Sequence, residues 1–253
     1  GFGACISGML LQRMDYSGKF FPDMQPLNVF VVALIAMLVC AAFGTVTGFF
    51  IAYLNVPPFI ATLAMMEIVY GIGLIVTNAT PLGGYVEQYT NVSNGKFLGI
   101  NYLIWIAIIV AVITWFIFNM TRHGKYMYAI CGNPQAAEVA GVPVKATLIL
   151  IYMKAAAMYG LAGFMLGAKA GGASVQTGYG YEMEAIAACT IGGVSVTGGR
   201  GKVSSAIIGV AVFELLKVAL QYLGMNANAQ YIAIGVVIFI AISLDIRKYI
   251  ARK

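Results

Sequence analysis

Between Asn28 and Leu54 the chain carries no charged residue and no proline. As an α-helix this run would be ~40 Å long, enough to cross the ~30 Å hydrocarbon core of a bilayer with some tilt. Hydrophobic residues make up 61% of the 253 and charged residues only 9%. Soluble domains carry about 25% charge, so the chain reads as an all-α polytopic membrane protein, a helical transmembrane bundle. Its net charge of +6 would invite a nucleic-acid reading, but the bases sit at the ends of apolar runs and form no patch on one face. No nucleic acid is expected as a partner, and membrane lipid is.

The remaining apolar runs give the other spans of a single transmembrane domain covering 1–253. Pro58–Thr77, Ile100–Met120, Ala146–Ala168, Val203–Leu223 and Tyr231–Ile246 are each expected to cross. Gly1–Met14 is apolar but too short, no basic segment precedes it, and the chain opens without a methionine. It reads as the tail of a truncated span, not a signal peptide, with further spans upstream. Met183–Gly199 is short and interrupted by Gly192-Gly193 and Gly198-Gly199, so a broken or re-entrant piece is expected there. Irregular backbone at membrane depth survives only where protein or a water-filled cavity covers it, which points inward to a pathway. Gly44 and Gly48 stand on one face of the longest run and would let another helix approach closely. Asp15–Pro26 and Asn78–Gly99 read as polar loops, and Gly171–Tyr181 as a glycine-rich one.

Lysine and arginine divide unevenly between the two sides. One side collects Arg122, Lys125, Lys145, Arg200, Lys202 and the tail cations Arg247, Lys248, Arg252 and Lys253; the other has Arg13, Lys19, Lys96 and Lys169. By the positive-inside rule the first side is cytoplasmic. Its largest feature is the polar stretch Thr121–Lys145. There Asn133 reads as a helix N-cap and Pro134 as the first helical residue, where a missing N–H costs nothing. Gly141 and Pro143 end the helix. Two turns do not hold together alone in water, so Pro134–Ala140 must pack on something. Ala136, Ala137, Ala140 and Gly141 would allow a partner close backbone approach, while Glu138 and Val139 are the only larger groups after Gln135. Packing on the chain itself is the other reading.

Gly198-Gly199-Arg200-Gly201-Lys202 is not a phosphate loop, because Val196 and Val203 break the required pattern. Gly178 and Gly180 follow no strand, so a dinucleotide site fails too. His123 is the only histidine and reads as a solvated loop residue without metal partners. Without it no catalytic triad can be drawn, and no enzyme is expected. Cys5, Cys40, Cys131 and Cys189 are scattered and should be free thiols, mostly buried. Ionisable groups within spans are better pointers, since they are costly at depth and face a bundle interior or water. Glu67, Lys154, Glu214 and Lys217 are these groups, and Glu214 and Lys217 are placed to pair on one helical face. Interhelical pairing is the favoured account; with Gly192 and Gly193 they are also the candidate translocation pathway.

The stretch TRHGKYMYAICGNPQAAEVAGVPVK resembles the cytoplasmic loop of ribose/galactose-type sugar permeases of bacterial ABC importers. GTVTGFFIAYLNVPPFIATLAMM, YEMEAIAACTIGGVSVTGGRGKV and SLDIRKYIARK are similar to further signature stretches of that family, in its order. The resemblance, nearest to the galactose type, implies a homodimeric channel in the bacterial inner membrane. It also implies a periplasmic sugar-binding protein that feeds the channel and a separate cytoplasmic subunit that binds ATP and Mg, with no cofactor on this chain. Pro134–Ala140 would be the coupling helix. Galactose or methyl-galactoside is the implied cargo, with ribose, xylose, arabinose or nucleoside as alternatives within the family. Tyr179, Tyr181 and Gln176 could touch a sugar or anchor at the interface. Glu67, Lys154 and Lys217 stand where such permeases are expected to have apolar or neutral residues, and an ion-coupled carrier would explain them without a partner subunit.

Overall fold

The computed structural model describes residues 1–195, 198 and 201–250, with the backbone alone for 227, 228, 241, 242 and 244–250. Among the described residues the fold is helical apart from one small hairpin, as an all-α membrane protein should be. The helices are α1 (Phe2–Leu10), α2 (Val29–Leu54), α3 (Pro58–Thr77), α4 (Glu87–Asn94), α5 (Tyr102–Met120), α6 (Arg122–Gly132), α7 (Pro134–Val139), α8 (Val144–Ala170), α9 (Tyr181–Ile191), α10 (Val203–Tyr222) and α11 (Ala227–Ile250). The hairpin pairs β1 (Lys96–Phe97) with β2 (Ile100–Asn101). Helices α2, α3, α5, α8 and α10 are long and apolar enough to cross a membrane. The chain forms two compact units, one of residues 1–109 and 143–179, the other of 110–142 and 180–253, with α5 running through the division.

In the first unit α2 packs along α8, and α1 lies against both. Close approach is built from glycine. A Cβ on Gly48 would stand 2.8 Å from the Ile149 Cα, and one on Gly44 2.5 Å from the Ala156 Cβ. On the opposing helix, a Cβ on Gly160 would stand 2.5 Å from the Ala36 carbonyl oxygen. Asn28 caps α2 by accepting from the Phe30 N–H, and Asn55 closes it in the left-handed conformation. Lys145 Nζ lies 5.1 Å from the centre of the Tyr53 ring, so the end of α2 and the start of α8 meet at one end of the unit.

The segment Asn78–Gly99, expected as a polar loop, instead contributes α4, the hairpin strand β1 and part of the core. Tyr85 and Tyr89 are buried with rings 5.2 Å apart, and Tyr89 packs on Phe164. The Tyr89 hydroxyl donates to the Phe164 carbonyl at 2.6 Å and Ser93 to that of Ala168 at 3.0 Å, fastening α4 to the end of α8. Burial pushes both tyrosine phenols above their ordinary range. Gln12, only 1% exposed, accepts from the Phe20 N–H and donates to the Gly83 carbonyl, so the loop after α1 is also pinned. Short backbone bridges join Gln12 to Tyr85 and Leu82 to Ala173.

Candidate functional site

The second unit carries the polar stretch as far as Val142 and two of the four in-span charges, Glu214 and Lys217. Thr121 caps α6, accepting from the Gly124 N–H at 3.2 Å while donating to the Ile117 carbonyl. Helix α6 was not expected, since Arg122–Gly132 mixes charge, tyrosine and two glycines without a clean apolar stripe. His123 lies half-buried in its first turn, which corrects the expectation of a solvated loop residue. Asn133 ends α6 and begins α7, its Oδ1 accepting from the Ala136 N–H at 3.0 Å with Pro134 in the first turn. Beyond α7 the Gly141 N–H bonds the Glu138 carbonyl and the Val142 N–H that of Ala137, with Gly141 at φ +82°. This is a Schellman ending, in which glycine takes the left-handed position. Of the residues from Asn133 to Gly141 only Ala137 is buried; Asn133, Pro134, Gln135, Ala136, Glu138, Ala140 and Gly141 are exposed, and Val139 is 92% exposed.

Helix α9 is 11 residues, or ~16 Å, too short to cross. It runs antiparallel along α10, and the two are joined at two levels. At one, Gly192 and Gly209 bring the backbones together: a Cβ on Gly209 would stand 2.7 Å from the Gly192 nitrogen. At the other, Lys217 Nζ lies 2.8 Å from Glu184 Oε2 and 3.6 Å from Glu214 Oε1. The Tyr181 ring is 6.0 Å from the same ammonium. The Glu214–Lys217 pairing is thus present, but the shorter bond goes to Glu184. Two glutamates in the first turn of a short apolar helix, Glu182 and Glu184, were the signal for it, since carboxylates are favoured at a helix N-terminus.

Glu67 is exposed on α3 and Lys154 half-buried on α8, and neither has a hydrogen bond or ion pair among the described residues. Gly192 sits against α10, whereas a Cβ on Gly193, at φ +89°, would meet nothing within 4 Å. Tyr179 is 70% exposed beside Tyr70, with ring centres 6.4 Å apart, and Gln176 is exposed in the turn before it. No three metal-ligating side chains converge among the described residues, and the four cysteines are free, with Cys131 exposed and Cys5 fully buried. Val196, Thr197, Gly199, Arg200, Arg252 and Lys253 lie outside the described residues, as do the side chains of Arg247 and Lys248.

Residues 1–242 match the family described as branched-chain amino acid transport system / permease component. The whole chain is 39% identical to the galactose/methyl galactoside import permease protein MglC of Escherichia coli (strain K12), covering 77% of that protein. The MglC of Haemophilus influenzae shows the same identity and coverage. The ribose import permease protein RbsC of E. coli (strain K12) is 35% identical over 87% of this chain and 70% of its own length. No solved structure matches. Multiple apolar spans, a capped exposed helix and similarity along the entire chain converge: this protein belongs to the permease component family of branched-chain amino acid transport systems, the family matched by residues 1–242.

Proposed function

We propose that the chain is the membrane channel of an ATP-driven importer in a bacterial inner membrane, moving a monosaccharide of the galactose or methyl-galactoside type. The observation that carries this is the 39% identity to galactose/methyl galactoside import permeases over the full chain, above the 35% found with a ribose permease. The channel works as a pair of copies and receives sugar from a periplasmic binding protein. ATP and Mg are handled by a separate cytoplasmic subunit, and no residue of this chain does covalent chemistry. Asn133, Pro134, Gln135, Ala136, Ala137, Glu138, Val139, Ala140 and Gly141 form the coupling element seated on that subunit. Exposed Val139 and Glu138 supply its apolar and charged contacts. When two ATPase copies close on ATP, the coupling elements follow and the bundle changes the side to which it opens. Lys217, Glu214, Gly192 and Gly193, with Glu67 and Lys154 on the other unit, are the pathway candidates because charge and broken helix at depth are tolerated where water or cargo passes.

The test is uptake of labelled galactose, with ribose as competitor, in cells carrying the full-length permease with its ATPase and binding protein. ATPase-dependent uptake that ribose does not compete supports the reading. Uptake that survives loss of the ATPase and is abolished by a protonophore overturns it in favour of an ion-coupled carrier using Glu67 and Lys154. Competition by ribose would widen the cargo to the other sugars of the family.

A further inference from the structure

We infer that the hydrogen bond from the Tyr128 hydroxyl to the Gly201 carbonyl is the joint through which movement of α6 and α7 reaches the α9–α10 pair, so that Tyr128 is a positioning residue for transport. The inference rests on the importer reading, in which α7 is the element moved by the partner.

All of its parts lie within the second unit. Helices α6 and α7 meet at one residue, Asn133, which ends the first and caps the second, so no slack separates them. The buried side of α6 is Gly124, Met127 and Ile130. Tyr128 lies off that side, 37% exposed, with its ring edge on Phe118 at 6.1 Å. Its hydroxyl still finds a specific acceptor, the carbonyl of Gly201 at 2.8 Å, 73 residues further along the chain. Gly201 directly precedes Lys202, the N-cap of α10, so the bond grips the backbone at the very entry to that helix. A second touch comes one turn along α6, where the Cys131 carbonyl oxygen lies 3.5 Å from the position a Cβ on Gly198 would take.

Movement delivered at Gly201 does not dissipate between α9 and α10, because the Gly192–Gly209 approach joins them at one level and the Glu184–Lys217 bond at another. The pair moves as a unit, and the Lys217 cluster lies 14 residues beyond Val203, ~21 Å along α10 from the joint. A single neutral, partly exposed hydrogen bond suits this place. It orients the entry to α10 yet can be broken and remade at small net cost as the bundle changes state.

The experiment uses the full-length permease assembled with its ATPase and binding protein in proteoliposomes, and reads galactose transported per ATP hydrolysed. Tyr128→Phe removes one oxygen and keeps the ring on Phe118. It should leave ATP hydrolysis within about two-fold of wild type while lowering sugar moved per ATP roughly five-fold, the worth of one net hydrogen bond. Phe118→Leu loosens the ring's support but keeps the hydroxyl, and should lower the same ratio less; this variant decides should the first not assemble. A ratio unchanged in both overturns the joint. If the wild-type complex itself shows no ATP-dependent uptake, the importer reading fails instead, so the two failures are distinct.

Discussion

Lys217 on α10 donates to Glu184 on α9 at 2.8 Å, while Glu214, one turn away on its own helix, stands further off at 3.6 Å. The cross-helix bond is therefore the stronger partner, and its loss strands a carboxylate of which only 20% is exposed. Lys217→Met should lower the unfolding free energy of the purified permease by roughly 2 kcal/mol, below the cost for a fully buried pair. The double variant Lys217→Met with Glu184→Gln should recover more than half of that loss. Unfolding in detergent, read by circular dichroism, checks both; additive losses would mean that the two side chains are not coupled.

Gly160→Ala should be among the most damaging small substitutions in the first unit, because its new methyl would meet the Ala36 carbonyl oxygen at 2.5 Å. A loss of about 2 kcal/mol or more is expected, in the range for overpacking. Gly71, around which a Cβ would meet nothing within 4 Å, provides the control. There the alanine should stabilise slightly, by up to ~1 kcal/mol, since glycine within a helix costs backbone entropy. Thermal unfolding of the two variants side by side separates close packing from general intolerance.

The buried Tyr85 and Tyr89 phenols are held neutral by desolvation, their pKa values raised in the folded state. Stability from these groups is complete below about pH 10, where a tyrosine of the unfolded chain begins to ionise, and is lost as pH rises further. Unfolding free energy should thus be insensitive to these groups at neutral pH and fall on the alkaline side. Tyr89→Phe should shrink the alkaline slope and cost ~1 to 2 kcal/mol at pH 7, because the Phe164 carbonyl loses its 2.6 Å donor. A Tyr89→Phe slope equal to that of the wild type would show that Tyr89 does not contribute.

Val139→Asp should leave the permease's own melting within about 0.5 kcal/mol of wild type, because a side chain 92% exposed supports nothing in this chain. Under the importer reading it should reduce co-purification of the ATPase subunit roughly ten-fold, as expected where an apolar contact at an interface centre becomes a charge. Unchanged co-purification would remove Val139 from the docking face.

Spans and caps were legible in the sequence because their causes are local. The run from Asn28 to Leu54 is a solvent preference written residue by residue, and Asn133-Pro134 with Gly141 is capping chemistry complete within nine positions. What escaped depends on partners far along the chain. Tyr89 reads as a loop tyrosine until α8 supplies the Phe164 carbonyl, 75 residues away. Glu184 has no helical neighbour of opposite charge, since its lysine lies 33 residues on, whereas the weaker Glu214 contact is visible as an i, i+3 pair. Helix α6 likewise has no clean stripe, and its backbone is secured by a threonine cap and by contacts on one narrow side. Gly192 ends α9, and its contact with Gly209, 17 positions further along, brings two helix backbones together in a way that no local pattern shows.

The seam between α2 and α8 sets terms for how this protein can change. At Gly160 the opposing atom is a main-chain oxygen of Ala36, and Gly44 faces the carbonyl of Tyr152 in the same manner. A collision between two side chains can be repaired by shrinking either one. A collision with a peptide group has no such remedy, because every amino acid at position 36 or 152 carries the same carbonyl. Second-site revertants of a lesion at Gly160 should therefore not arise at position 36; recovery would come through return to glycine or through substitutions that let the whole helix shift.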